Sequence, residues 1–169
     1  MIDTYIFIGM AGVGKSSIGA SVAKHFKLKF YDTDSVLVDK YNQPLNELIL
    51  TMGVESFKKI EAESVLNLVG NNNIIAPGGS FIYSNDVIQQ IKSRTLFVFL
   101  YDNPINIKKR ISNLDSRGII GMENNHSFED VYYEREKLYQ KVGNIRFNLE
   151  FQSFKSACQN VINYFELFI

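Results

Sequence analysis

Along the 169-residue chain, short apolar runs alternate with longer segments whose apolar positions recur every three or four residues. The short runs, bounded by turn residues, read as buried strands, and the longer period reads as amphipathic helix. The strands predicted in this way are residues 4–9 (TYIFIG), 29–34 (KFYDTD), 73–78 (NIIAPG), 95–101 (TLFVFLY) and 145–150 (IRFNLE). The predicted helices are 15–26, 35–42, 44–69, 85–93, 104–113, 128–142 and 154–168. Such alternation predicts an α/β fold of three layers, α/β/α, with a five-stranded parallel sheet covered on both faces. Two helix starts are marked by their residues. Asn103 precedes Pro104 as an N-cap precedes proline at the first helical position, and Ser127 with Asp130 has capping-box spacing. The aromatic run VINYFELFI at the C-terminal end has the spacing of a last helix packed on the sheet. Residues 114–126 (LDSRGIIGMENNH) show no period, and a segment that long between two helices is a functional loop or a disordered one.

The length suits one domain spanning 1–169, with room for a proper core. Lys plus Arg and Asp plus Glu both number 18, so no charge imbalance draws the chain to nucleic acid or to an acidic membrane. A small-molecule partner and a monomer are expected. The lone cysteine, Cys158, cannot form an internal disulfide; it reads as a small apolar residue in a reduced, cytoplasmic compartment. The first apolar run carries Asp3 where a signal peptide needs positive charge and is too short to span a bilayer, so no targeting segment is expected. No His/Cys cluster suggests a tightly bound transition metal, and His126 stands alone.

Chemistry enters at residues 9–17, GMAGVGKSS, which follow the first strand and open the first helix. They satisfy G-x-x-x-x-G-K-[ST] in the context that motif requires. Gly9, Gly12 and Gly14 let the backbone curl so that amides from Gly12, Val13, Gly14, Lys15, Ser16 and Ser17 converge on phosphate oxygens, aided by the helix N-terminus. Lys15 is expected to reach the β and γ phosphates of ATP, and Ser16 to place its hydroxyl on Mg²⁺. A GTPase would also carry an N-K-x-D segment, which this chain lacks; the DSRG string at 115–118 follows a helix and reads as chance. A phosphotransferase with a small acceptor fits better than a GTPase or a motor.

Asp32 and Asp34 lie one residue apart at the end of the second predicted strand, where they would share a face. Ligands of open α/β sheets collect at the carboxyl ends of the strands. Asp32 is therefore expected to hold Mg²⁺, and Asp34, farther out, to bind the acceptor and serve as its base. The alternative for Asp34 is to cap the helix that follows.

Taken together, the P-loop, the Asp32-Thr33-Asp34 triplet, GVESFKKIE (53–61), GGS (78–80), Arg110, Arg117 and REKLY (135–139) resemble the shikimate kinases, a P-loop branch of the nucleoside monophosphate kinase fold. The resemblance implies transfer of the γ-phosphoryl of MgATP to a hydroxyl of shikimate, with a mobile lid near 114–126 and an acceptor-binding helical region near 34–62. It implies that Asp34, Phe57, Lys58, Gly78, Gly79 and Arg135 bind the acceptor, that Arg110 lies against adenine, and that Arg117 swings in with the lid to neutralise the transferred phosphate. By position alone, Arg135 on an amphipathic helix reads as a solvated surface arginine.

Four departures from the family pattern cluster around the acceptor. Lys58 replaces an arginine, exchanging a planar fork for a point charge. Val54 stands for a glutamate, with Glu55 and Glu61 close enough in sequence to substitute. Ser80 replaces the third glycine, and Gly118 follows Arg117 where proline is usual. The phosphate side is intact. Alternatives are therefore a same-fold kinase for another acceptor, such as a sugar acid or a nucleoside monophosphate, and a catalytically silent nucleotide-binding relative.

Overall fold

The computed structural model describes residues 2–111, 118–122 and 126–167. Five parallel strands form one sheet in the order β2-β3-β1-β4-β5. They are β1 (Thr4–Ile8), β2 (Lys29–Asp32), β3 (Asn73–Ala76), β4 (Thr95–Tyr101) and β5 (Ile145–Asn148). The connecting helices are α1 (Lys15–Phe26), α2 (Thr33–Tyr41), α3 (Leu45–Met52), α4 (Val54–Leu68), α5 (Asn85–Ile91), α6 (Pro104–Arg110), α7 (Phe128–Val142) and α8 (Phe154–Phe165), with a 3-10 turn at Gly79–Tyr83. The predicted α/β architecture is the observed one.

Alternation along the central strands sorts the core into two clusters. Phe7, Ile74, Val98 and Leu100 face one side, where Ile18 and Val22 of α1 and Val161 and Phe165 of α8 cover them. Their neighbours Ile6, Ile8, Ile75, Phe97 and Phe99 face the other side, against Val65 of α4, Ile88 and Ile91 of α5 and Tyr139 of α7. A period of two on strands covered on both faces gives near-continuous apolar runs, which is why these strands were legible. Cys158 is buried and free within the first cluster. Leu37, Leu48, Phe57 and Ile120 form a third, smaller cluster where α2, α3 and α4 meet the segment 118–122. Both marked helix starts hold: Asn103 accepts from the Ile105 amide at 2.9 Å, and Ser127 and Asp130 form a reciprocal capping box.

Three local differences from expectation have plain causes. The helix expected over 44–69 is two, because Gly53 adopts φ 80 and ψ 158, ending α3 through its amide on Ile49 O and starting α4 through its carbonyl to Phe57 N. The apolar period runs through the break in phase, so periodicity alone joins the two helices. The strand expected over 29–34 stops at Asp32, and Thr33 and Asp34 already belong to α2. Asp32 is the N-cap: its Oδ1 accepts from the amides of Asp34 at 3.0 Å and Ser35 at 3.3 Å. The two aspartates therefore do not share a strand face, and the capping role considered for Asp34 falls to Asp32. Finally, β3 lies between β1 and β2, so β2 reaches the loop after β1 only across an intervening strand.

The cap separates two properties of Asp32. Replacing Asp32 with Ala removes the acceptor for two amides and is expected to lower stability by about 1 kcal/mol, whereas Asp32→Asn keeps a capping oxygen and stays within about 0.5 kcal/mol of the parent. Urea unfolding of the two variants reads the difference; equal losses would exclude the cap as a stabilising element.

Candidate active site

The turn after β1 is tight because two of its glycines do what no other residue does. Gly9 has φ 145, and a Cβ there would overlap the Leu100 carbonyl oxygen on the adjacent strand; Gly14 has φ 112 and hands the chain to α1 as its N-cap. Lys15, buried at 8 % exposure, folds back over the turn and donates to Gly9 O at 2.9 Å and Met10 O at 3.1 Å. The loop thus sets a held ammonium at a helix N-terminus, with the Val13 amide donating back to Met10 O at 3.2 Å, an arrangement suited to cradle an anion.

Two pockets flank this loop. The outer one, about 310 Å³, runs between Gly12, Val13, Gly14 and Ser17 on one side and Leu149 and Ser153 of the β5–α8 connection and Phe154 at the start of α8 on the other. Arg110 lines it, ion-paired at 2.5 Å with Asp102, whose side chain is fully buried and also accepts from Asn106 Nδ2 at 2.9 Å. The Arg110 guanidinium is thereby fixed at the wall of the pocket. The inner pocket, about 40 Å³, brings together Asp34, Phe57, Glu61, Gly78, Gly79 and Arg135. Gly118, Ile119 and Ile120 close over it. The loop's own Ala11 lines it too, its amide nitrogen 3.4 Å from where a Cβ of Gly79 would stand.

Burial of charge dominates this inner pocket. Arg135 is 1 % exposed: its Nη2 donates to Ile120 O at 2.5 Å, its Nε to the Tyr83 hydroxyl at 3.4 Å, and its guanidinium lies 5.2 Å from the Tyr83 ring centre. The surface reading of this arginine is therefore overturned, since the outward side of α7 at this position is covered by the 3-10 turn and the segment over the pocket. Glu61, on α4, is 1 % exposed and accepts the Ser80 hydroxyl on Oε2 at 2.6 Å. Burial raises its carboxyl from the ordinary 4.5 to about 7, the Ser80 hydrogen bond and the charges of Arg135 and Lys15 working the other way and Asp34 adding to the rise. Asp34 reaches the same point from α2: a methyl group on Gly78 would overlap Glu61 Oε1 and lie 2.8 Å from Asp34 Oδ1. Beside Gly79, the same construction meets Arg135 Nη1 at 2.7 Å. Only glycines let two carboxylates and a guanidinium approach one stretch of backbone this closely. Tyr139, whose hydroxyl donates to Gly79 O at 2.8 Å, is held neutral, its ionisation pushed up by burial.

The structure brings Asp34, Phe57, Gly78, Gly79 and Arg135 to one pocket and Gly12, Val13, Gly14, Ser17 and Arg110 to the other. Lys58 lines neither. It donates to Glu55 Oε1 at 3.0 Å and sits 5.3 Å from the Tyr83 ring centre, on the outer rim. Arg117, with most of 114–126, lies outside the described residues. Ser16 is exposed at the mouth of the anion cradle, and Asp32 is half-buried at the end of β2. Among the described residues no group of three or more His, Cys, Asp or Glu side chains could hold a metal ion. One hydroxyl and one carboxylate suit an ion that keeps its waters and takes further oxygens from phosphate, as Mg²⁺ does.

Three residues of the site carried little signal in the sequence. Glu61 entered as the last residue of GVESFKKIE and as a stand-in for a missing neighbour, with no role of its own, and Asp102 and Phe154 were given none. The strand-end rule for open α/β sheets would have pointed to the segments after β4 and β5, where Asp102 and Phe154 lie. Glu61 sits mid-helix and had no such marker.

Because Glu61 is shifted upward, its contribution to stability is fully present below its unfolded pKa near 4.5 and is lost as pH rises through about 7. At pH 8 that loss is about 3 kcal/mol relative to acid conditions. Glu61→Gln is expected to flatten the pH dependence of unfolding between pH 5 and 8; an unchanged slope would place the titration elsewhere.

Comparison with known proteins identifies the family and the fold. The family model for shikimate kinase matches residues 11–166. A shikimate kinase of Xylella fastidiosa is 30 % identical over 159 residues, covering 93 % of this chain and 88 % of its own length. One from Clostridium botulinum is 33 % identical over 143 residues, covering 83 % and 84 %. In fold, the chain is similar to the shikimate kinase from Acinetobacter baumannii in complex with shikimate, with a TM-score of 0.83 and 20 % identity, covering 98 % of this chain and 92 % of that one.

Proposed function

Because the chain belongs to the shikimate kinase family, we propose that it transfers the γ-phosphoryl group of ATP to the 3-hydroxyl of shikimate, in the synthesis of aromatic amino acids. The observation that carries this reading is the inner pocket, where a carboxylate, Asp34, and a buried guanidinium, Arg135, face one cavity beside the anion cradle. A hydroxylated carboxylic acid needs both: one to take or orient the hydroxyl proton, the other to receive the acid.

On the donor side, the amides of Gly12 to Ser17 and the Lys15 ammonium hold the phosphates, and Lys15 exchanges strand-end carbonyls for β and γ oxygens. Arg110, steadied by Asp102, lies against the base in the outer pocket. Ser16 and Asp32 would hold Mg²⁺, which when bound supplies charge neutralisation between the β and γ phosphates. Asp34 positions the acceptor hydroxyl in line and accepts its proton, so that catalysis rests on orientation and on charge placed in advance. Phe57 packs against the acceptor ring, and the amides of Gly78 and Gly79 meet its polar edge.

At about 40 Å³ the inner pocket holds a few waters and not a six-membered ring. Acceptor entry therefore requires Gly118, Ile119 and Ile120 to move off the pocket. The Ile120 carbonyl now on Arg135 stands where an acceptor carboxylate oxygen would take the same guanidinium. Lys58 joins that carboxylate by leaving Glu55, a pair whose glutamate is 82 % exposed and whose loss costs less than about 1 kcal/mol. Arg117 is assigned to the transferred phosphate. We further propose that residues 1–169 act as one domain, a monomer in the cytoplasm without nucleic-acid partners; no described helix is long and apolar enough to cross a membrane.

A coupled assay of ADP release with MgATP and shikimate, beside a no-acceptor control and a panel of hydroxy acids and nucleoside monophosphates, tests the reading. Shikimate-dependent release is expected. Asp34→Asn should lower kcat by about 100-fold or more with ATP affinity within about twofold of the parent. Release with another acid alone would reassign the acceptor, and bound ATP with no acceptor-dependent release would make the protein a silent relative.

A further inference from the structure

Ser80 is the departure on which the inner pocket turns. It opens the second position of the 3-10 turn, is 6 % exposed, and gives its hydroxyl to Glu61 Oε2 at 2.6 Å. The other oxygen of that carboxyl, Oε1, lies over Gly78, beside Asp34 Oδ1. Glu61 therefore presents its two oxygens to different partners, one to the serine and one to the pocket.

We propose that Ser80 is a positioning residue of the acceptor site: its hydroxyl, bonded to Oε2, turns Oε1 of Glu61 toward Gly78 and Asp34, where it meets a hydroxyl of the acceptor. This rests on the kinase reading for the identity of the acceptor and not for the geometry. A carboxyl whose Oε2 accepts from serine carries its proton, when it has one, on Oε1. In that state Oε1 donates a hydrogen bond into the pocket while Asp34 Oδ1 can accept one, so the pair grips vicinal hydroxyls with one donor and one acceptor. Once Glu61 ionises, Oε1 can only accept. It then adds negative charge beside Asp34 and draws on the field of Arg135, which the acceptor carboxylate needs. The charged and titratable groups facing Glu61 are Asp34 from α2, Lys15 from α1 and Arg135 and Tyr139 from α7. Lys58, one turn earlier on its own helix, is turned to Glu55 and Tyr83. The buried carboxyl, raised to about 7, changes state in the physiological range, and the Ser80 hydrogen bond holds it from rising further.

The test compares the full-length parent with Ser80→Ala, Ser80→Gly and Glu61→Gln, measuring KM for shikimate and for ATP across pH 6–9, together with the pH dependence of unfolding without any ligand. In the parent, kcat/KM for shikimate is expected to fall as pH rises through the Glu61 ionisation. Both Ser80 variants should raise KM for shikimate about fivefold to tenfold. They should leave KM for ATP within about twofold and move the fall in kcat/KM to higher pH, because the bond that favours the anion is gone. Agreement of the two Ser80 variants assigns the effect to the hydroxyl and not to the bulk of a methyl group, and Glu61→Gln should abolish the transition. An unshifted profile with parental KM for shikimate would overturn the proposal, as would equal losses for shikimate and ATP. If shikimate is not phosphorylated by any form, the kinase reading fails. The ligand-free unfolding profile then still reports on the pair: its midpoint moves upward in Ser80→Ala if the hydroxyl tunes Glu61, and an unmoved midpoint overturns the pairing.

Discussion

Everything at the candidate site hangs on β1 being hydrogen-bonded on both sides, to β3 in the register Ile6 to Ile75 and to β4 in the register Ile8 to Phe99. Parallel pairing at these registers brings three strands to an end on one edge of the sheet. The chain leaves that edge as the P-loop after β1, as Gly78 and Gly79 after β3, and as Asp102 after β4. A slip of two residues would preserve every inward-facing apolar side chain and still carry Gly79 away from Ala11. Packing fixes which face is buried; the strand pairing fixes which loops meet. The closeness of those loops explains their composition, since Gly9 has the Leu100 carbonyl where a Cβ would be, and Gly78 has a carboxylate there.

Around that edge the fold buries charge that an ordinary core would exclude, and each charge is held by a specific partner. Arg135 is satisfied by a carbonyl, a phenol and an aromatic face, Glu61 by a serine, and Lys15 by two strand-end carbonyls. On the reading proposed above, a carboxylate would replace the carbonyl on Arg135 and phosphate the carbonyls on Lys15. The buried charges at this edge are thus each partnered within the chain itself, out of water.

Two of the four departures from the family pattern are explained by local partners. Lys58 pairs with Glu55, which stands next to the position where the usual glutamate is replaced by Val54. Glu61 receives a hydroxyl from Ser80, the replacement for a glycine. In both cases a substituted residue has a partner close by.

From its own residues the sequence determined a five-stranded parallel sheet, the helices on both faces and the P-loop; the asymmetry between phosphate and acceptor sides came only with the family resemblance. These are legible because each is local: a strand shows in alternate residues, a helix in every third and fourth, and a P-loop in nine consecutive positions. Tertiary structure alone decided that Arg135 is buried, that Glu61 faces Gly78 and Asp34, that Asp32 caps α2, and that Gly53 divides a helix whose apolar period runs on unbroken. The first two depend on which segments, distant in sequence, cover a side chain and strip it of water. The last two depend on backbone angles that the apolar pattern does not encode. A charged side chain in a helix reads the same in the sequence whether it meets solvent or a pocket, and the difference in its energy and chemistry comes entirely from what the fold lays over it.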